Sequence, residues 1–129
     1  MAPRRGRGSR GEVTTAVLLL PLVVTMVFLV IQAALVYHAR SIVAAAAEDA
    51  ARAAQVEGGT AADGQALARA VLDGSTGLIP TPTVSIERSA TDVEVSISAR
   101  VRGPIPWLRP TVSASAGGPV ERFVPEPQR

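Results

Sequence analysis

The chain has 129 residues, and its 13 basic groups, all arginine, stand against 11 acids for a formal net charge of +2; that length suits one small domain. Aromatics make up 3% of a chain that is 47% hydrophobic, so aliphatic and alanine surface must supply whatever core forms. Cysteine is absent and His38 is the single histidine, which excludes disulfide frameworks, thiolate nucleophiles, Cys or Cys/His zinc sites and His-based catalytic triads.

Residues 1–12 form a basic tail in which Arg4, Arg5, Arg7 and Arg10 face Glu12 alone. Beyond it nine arginines meet ten acids, so the excess charge belongs to the tail and no nucleic-acid partner is expected. From Val13 to Tyr37 the chain runs for 25 residues without a charge, more than the ~20 that a helix needs to cross a bilayer core. The expectation is a transmembrane helix in contact with membrane lipid. Pro21 lacks an amide hydrogen and so leaves one helix carbonyl unpaired, with Thr25 one turn on as a candidate helper. Gln32 carries the one amide side chain of the run and either bonds to a neighbouring helix or reaches water at the far interface. Pro21, Thr25 and Gln32 are therefore the candidate transmembrane packing positions. Four arginines in the short tail, against Arg40 and an acid-answered Arg52 beyond the span, place the N-terminus in the cytoplasm and the C-terminal part outside. The competing reading is a cleaved secretory signal, with small-residue candidates at Ala44 to Ala47; the apolar run exceeds the usual 7 to 15 residues of such a signal.

Residues 38–57 extend the helix beyond the lipid, being rich in alanine, with Glu48 and Arg52 four apart. Ala44, Ala47, Ala51 and Ala54 form a small-residue face that is either a packing surface or plain helix-favouring filler. Gly58 and Gly59 end this helix, and Thr60 with Asp63 forms a capping pattern for a second, shorter one to about Leu72, with Leu67, Val71 and Leu72 inward. After Pro80 and Pro82 the period becomes two. Val84 and Ile86, then Val93, Val95, Ile97, Ala99 and Val101, alternate with polar residues as two strands turning near Ser89 to Asp92. The segment Gly103 to Pro110 holds three prolines and displays Trp107, the only tryptophan, which either covers the small core or dips to the membrane surface. Val112, Ala114 and Ala116 alternate with serines as a third strand, and residues 117–129 read as a flexible tail. The fold class is α+β: a transmembrane helix continuing outward, then a small domain over 58–116 with a short helix and a three-stranded antiparallel sheet. So small a domain is marginal alone, which favours contact with a partner or the membrane.

The chain presents no nucleotide-binding loop, since Gly6, Gly8 and Gly11 precede the apolar run rather than follow a strand. Asp92 and Glu94 read as solvated charge at a turn and on a polar strand face. No catalytic, cofactor-binding or metal-ligating residue is assigned, and no cofactor is expected.

The arginine-glycine tail, the leucine run closing in proline (Leu18-Leu19-Leu20-Pro21), the Gln32-Ala33-Ala34-Leu35-Val36-Tyr37 segment and the Ala-rich stretch Glu48-Asp49-Ala50-Ala51-Arg52-Ala53-Ala54 together resemble the TadE-like family. The resemblance covers roughly residues 8 to 56 and extends loosely to the sheet and to the closing Gly118 to Phe123. It implies a pseudopilin-like membrane component of a tight-adherence (Flp, type IVb-like) pilus or related secretion system. The partners implied are other TadE-like or pilin-like subunits and pilus assembly machinery, in homo- or hetero-oligomers. Members often carry a glutamate at the start of the apolar helix, five residues after a glycine, for processing and subunit register. Here Glu12 follows Gly11 directly and stands one short of that position counted from Gly8; these three are the candidate processing or register positions. The alternative function is a secreted binding domain released after signal cleavage near Ala47, using the sheet and the Trp107 loop to recognise an extracellular ligand.

Overall fold

The computed structural model describes residues 9–122 together with 124 and 125. Helix α1 runs unbroken from Ser9 to Gln55, 47 residues with Pro21 inside it. At ~1.5 Å per residue it is about 70 Å long, roughly twice the thickness of a bilayer core. Its two halves have different surroundings. Every residue from Arg10 to Ile31 is exposed, and this half is almost wholly apolar. From Gln32 onward one face is buried: Gln32, Ala39, Val43, Ala46, Ala47, Ala50, Ala51 and Ala54 recur at intervals of three and four, with a single seven-residue gap bridged by half-buried Leu35 and Val36, as a single stripe on a helix requires.

A turn with Gly58 at φ 79° reverses the chain into α2, Ala61–Asp73. The positive φ there is where a side chain would be strained. Thr60 and Asp63 form a capping box: the Thr60 amide donates to Asp63 Oδ2 at 2.8 Å and the Asp63 amide donates to Thr60 Oγ1 at 3.2 Å. Gly64, Ala68 and Leu72 form the buried stripe of α2, while Leu67, expected inward, is 39% exposed. Small residues at a spacing of four win over Leu67 because α2 lies against the alanine face of α1. A Cβ on Gly64 would come within 2.8 Å of the Ala50 carbonyl, so only glycine permits this approach.

Strands β1 (Thr83–Arg88), β2 (Asp92–Arg100) and β3 (Thr111–Pro119) form an antiparallel sheet in the order β1-β2-β3. The inward row of β2, Val93, Val95, Ile97 and Ala99, is buried together with Val101 and Val112; α1 lies across β2 and β3, and α2 beside β1. The opposite face presents hydroxyls in cross-strand rows, Thr83–Ser98–Ser113 and Ser85–Ser96–Ser115. This is the α+β architecture that the change of period predicts. Strand β3, however, continues through Gly117, Gly118 and Pro119, where a tail is expected from composition. An edge strand accommodates proline, and Gly117 is required because a Cβ there would overlap the Val93 carbonyl. Beyond the strand, the Glu121 amide donates to the Gln55 carbonyl at 3.0 Å and Arg122 donates to the Ala90 carbonyl at 3.2 Å.

The unit has a defined polarity along α1. One end is marked by Ala54, whose carbonyl accepts from Arg88 Nε at 2.9 Å, and by Gln55 beside Gly118. The other end is marked by Gln32, packed against Gly103. Strand β2 therefore runs back toward the exposed half of the helix, and the Pro-rich loop after it lies where the two halves meet.

Candidate functional site

The chemistry-bearing positions singled out from the sequence lie along α1 and are not brought together. Glu12 and Gln32 are about 30 Å apart along the axis at ~1.5 Å per residue. Gly8 lies outside the described residues. Gly11 is exposed, with nothing within 4 Å of where a Cβ would stand. Glu12 is an exposed acid in the first turn, where the helix dipole favours negative charge.

The exposed half of α1 handles its few polar groups internally. Thr14, Thr15 and Thr25 donate their hydroxyls to the carbonyls of Arg10, Gly11 and Pro21 at 2.9, 2.8 and 2.7 Å. No hydroxyl on this surface is left for a lipid tail to desolvate. Thr25 does not, however, repair the proline. The carbonyl deprived of its donor is that of Val17, four residues earlier, whereas the Thr25 hydroxyl bonds the carbonyl of Pro21 itself.

Gln32 meets neither of its expected fates. It is 4% exposed within the chain, covered by Gly103, where a Cβ would overlap the Gln32 amide. Neither Gln32 Oε1 nor Nε2 has a hydrogen-bond partner among the described residues. The packing surface of α1 thus begins at Gln32, inside the uncharged run, and faces the chain's own α2, sheet and Gly103 loop. Of the small-residue face read from the sequence, Ala47, Ala51 and Ala54 are buried and Ala44 half-buried, which makes it a packing surface rather than filler; Gly103 and Gly64 escape a sequence reading because close backbone approach leaves no apolar signature.

Trp107 does not cover the core. It is 86% exposed, held on a loop whose base is closed by the Val101 amide donating to the Pro110 carbonyl at 2.9 Å. Arg102 anchors the same end through its amide, which donates to the Leu78 carbonyl at 2.8 Å.

Residues 16–52 match the family model for TadE-like proteins. This segment is similar to TadE-like proteins. The match lies wholly within α1, spanning both the exposed apolar half and most of the buried alanine stripe, and stops short of the sheet and of Gly118 to Phe123. No curated protein and no solved structure matches the chain. The TadE-like helix, apolar and exposed near the N-terminus, fits a single-pass membrane protein. Among the described residues no three His, Asp or Glu side chains gather as a metal site, and the ion pairs, Arg52 with Glu48 at 3.6 Å and with Asp49 at 3.7 Å, are solvent-exposed on the outer half of α1.

Proposed function

We propose that the protein is a structural or assembly subunit, pseudopilin-like, of a tight-adherence (Flp, type IVb-like) pilus or related secretion system. It is anchored once in the cell membrane, with its N-terminus cytoplasmic and its α+β unit outside. One observation carries the reading: the TadE-like match over residues 16–52 falls on a helix whose first half is bare apolar surface while its second half is the spine of a folded unit. Such a helix is stored in lipid through one half and presents the other half outside for assembly. Residues 13–31 form the lipid-crossing part in this reading, about 28 Å at ~1.5 Å per residue, close to the ~30 Å hydrocarbon thickness.

Release by cleavage near Ala47 is disfavoured by packing. Ala39, Val43, Ala46 and Ala47 are completely buried, and a cut there would strip them from beneath the sheet. The test is purification from native membranes in mild detergent. Recovery of other TadE-like or pilin-like subunits is the expected result, and recovery of unrelated proteins alone overturns it. Intact mass on the same sample reads processing directly: a chain beginning at Ser9 or Glu12 makes it a filament-type subunit, and a full-length chain makes it a retained scaffold.

A further inference from the structure

The Pro-rich loop after β2 stands at the junction between the bare and the clothed halves of α1. Gly103 packs directly on Gln32, the first buried residue after the exposed apolar half. Strand β2 arrives travelling toward that half, and the chain continues past Gly103 before returning at Pro110. At its tip Trp107 is 86% exposed and Leu108 is 40% exposed, although Trp is the largest apolar side chain in the chain and the core is built from smaller aliphatic side chains such as Ile79, Ile97 and Val101. A loop stiffened by Pro104, Pro106 and Pro110 holds them there, and Arg109 Nε donates to the Pro106 carbonyl at 3.3 Å. Phe28, 44% exposed, lies one turn before Gln32 on the same helix face, so the apolar half of α1 ends directly before the residue on which the loop is seated.

Acids, though not arginines, are unevenly placed along the same axis, since Arg52, Arg88 and Arg122 stand toward the Gln55 end. The exposed Arg40, Arg100, Arg102 and Arg109 belong to the Gln32 end, and no acid occurs between Val95 and Val120 or between Val13 and Ala47. Among the described residues none of these four arginines is in an ion pair. The acids gather toward the other end: Glu87 is paired directly across from Glu94, Asp92 lies opposite Pro119, and Glu121 bonds the Gln55 backbone. Asp73, at the end of α2, is the exception.

From this placement we infer that the loop Gly103–Pro110 is a membrane-interface foot: Trp107 and Leu108 sit among the lipid headgroups, and Arg102 and Arg109, backed by Arg40 and Arg100, bind anionic headgroup phosphates. An amphipathic indole favours the headgroup layer, and arginine pairs with phosphate through a planar fork of donors. The foot gives the outer unit a second attachment besides α1, and so sets its height and tilt on the bilayer. The inference rests on the proposal that the exposed half of α1 crosses the membrane.

The single tryptophan is its own probe. The full chain is reconstituted into vesicles of phosphatidylcholine alone or mixed with phosphatidylglycerol, and flotation first reports whether it is anchored. The expected result is that Trp107 fluorescence loses most of its quenching by aqueous iodide, and is quenched more by lipid brominated near the headgroup than near the chain end. In the mixed vesicles this protection exceeds that in neutral ones, and R102Q/R109Q returns it to the neutral level. A chain that floats while Trp107 remains as open to iodide as free indole overturns the foot and leaves the anchor standing. A chain that fails to float overturns the anchor itself. Protection found in native membranes but absent from both kinds of vesicle overturns lipid as the occupant and assigns the loop to a protein partner.

Discussion

At the scale of single residues, Gln32 and Gly103 form the contact on which the junction depends. A buried amide with no partner costs roughly 1–3 kcal/mol, so Gln32→Met, which keeps shape and removes both polar atoms, is expected to stabilise the outer unit by about that amount. Gly103→Ala is expected to act oppositely, by roughly 1–3 kcal/mol, since its methyl needs the space the amide holds. Amide exchange of β2 in the detergent-solubilised chain measures both; an unchanged exchange rate in Gly103→Ala means that the loop does not seat on the helix. Gly64→Val, by the same steric argument, separates α2 from α1, because its Cβ would meet Ala50 backbone and Ile86 Cδ1 together.

Among the elements, α2 depends on its N-terminus. The hydroxyl of Thr60, and then its amide, hydrogen-bond the Asp63 carboxylate and hold its pKa below the ordinary 3.8. A depressed folded-state value means that the stabilisation is present above pH 3.8 and is lost as pH falls through the lower folded-state value. Exchange of the first-turn amides of α2 should therefore rise in that acid range and not between pH 5 and 8, and Asp63→Asn should remove the acid step. Helix α1 is tested in its bare half: Leu22→Arg places a charge near the middle of the span, at a cost of about 2.5–3.5 kcal/mol for insertion. The variant is expected to lose resistance to alkaline extraction from membranes, whereas Ala45→Arg, on the exposed face of the outer half, is expected to keep it.

For the whole molecule, topology is open to direct labelling because the chain has no cysteine. With the N-terminus inside, S115C on the hydroxyl-bearing sheet face reacts with an impermeant maleimide on intact cells, and R5C reacts only after permeabilisation; the reverse pattern inverts the molecule.

Much of this protein is dictated locally. The uncharged run, the alanine-rich continuation, the Thr60–Asp63 cap and the alternation in β1, β2 and β3 are each properties of neighbouring residues, and hydrophobic period and backbone propensity suffice to determine them. The packing partners were not legible in that way. Where the exposed surface of α1 ends, that Gln32 lies beneath Gly103, that Trp107 faces outward and which elements cover the small-residue face of α1 all depend on residues tens of positions apart. Only tertiary structure decides them, because the determining quantity is the gap between two backbones, and the spacing of glycine and alanine marks a small-residue face without naming what packs on it.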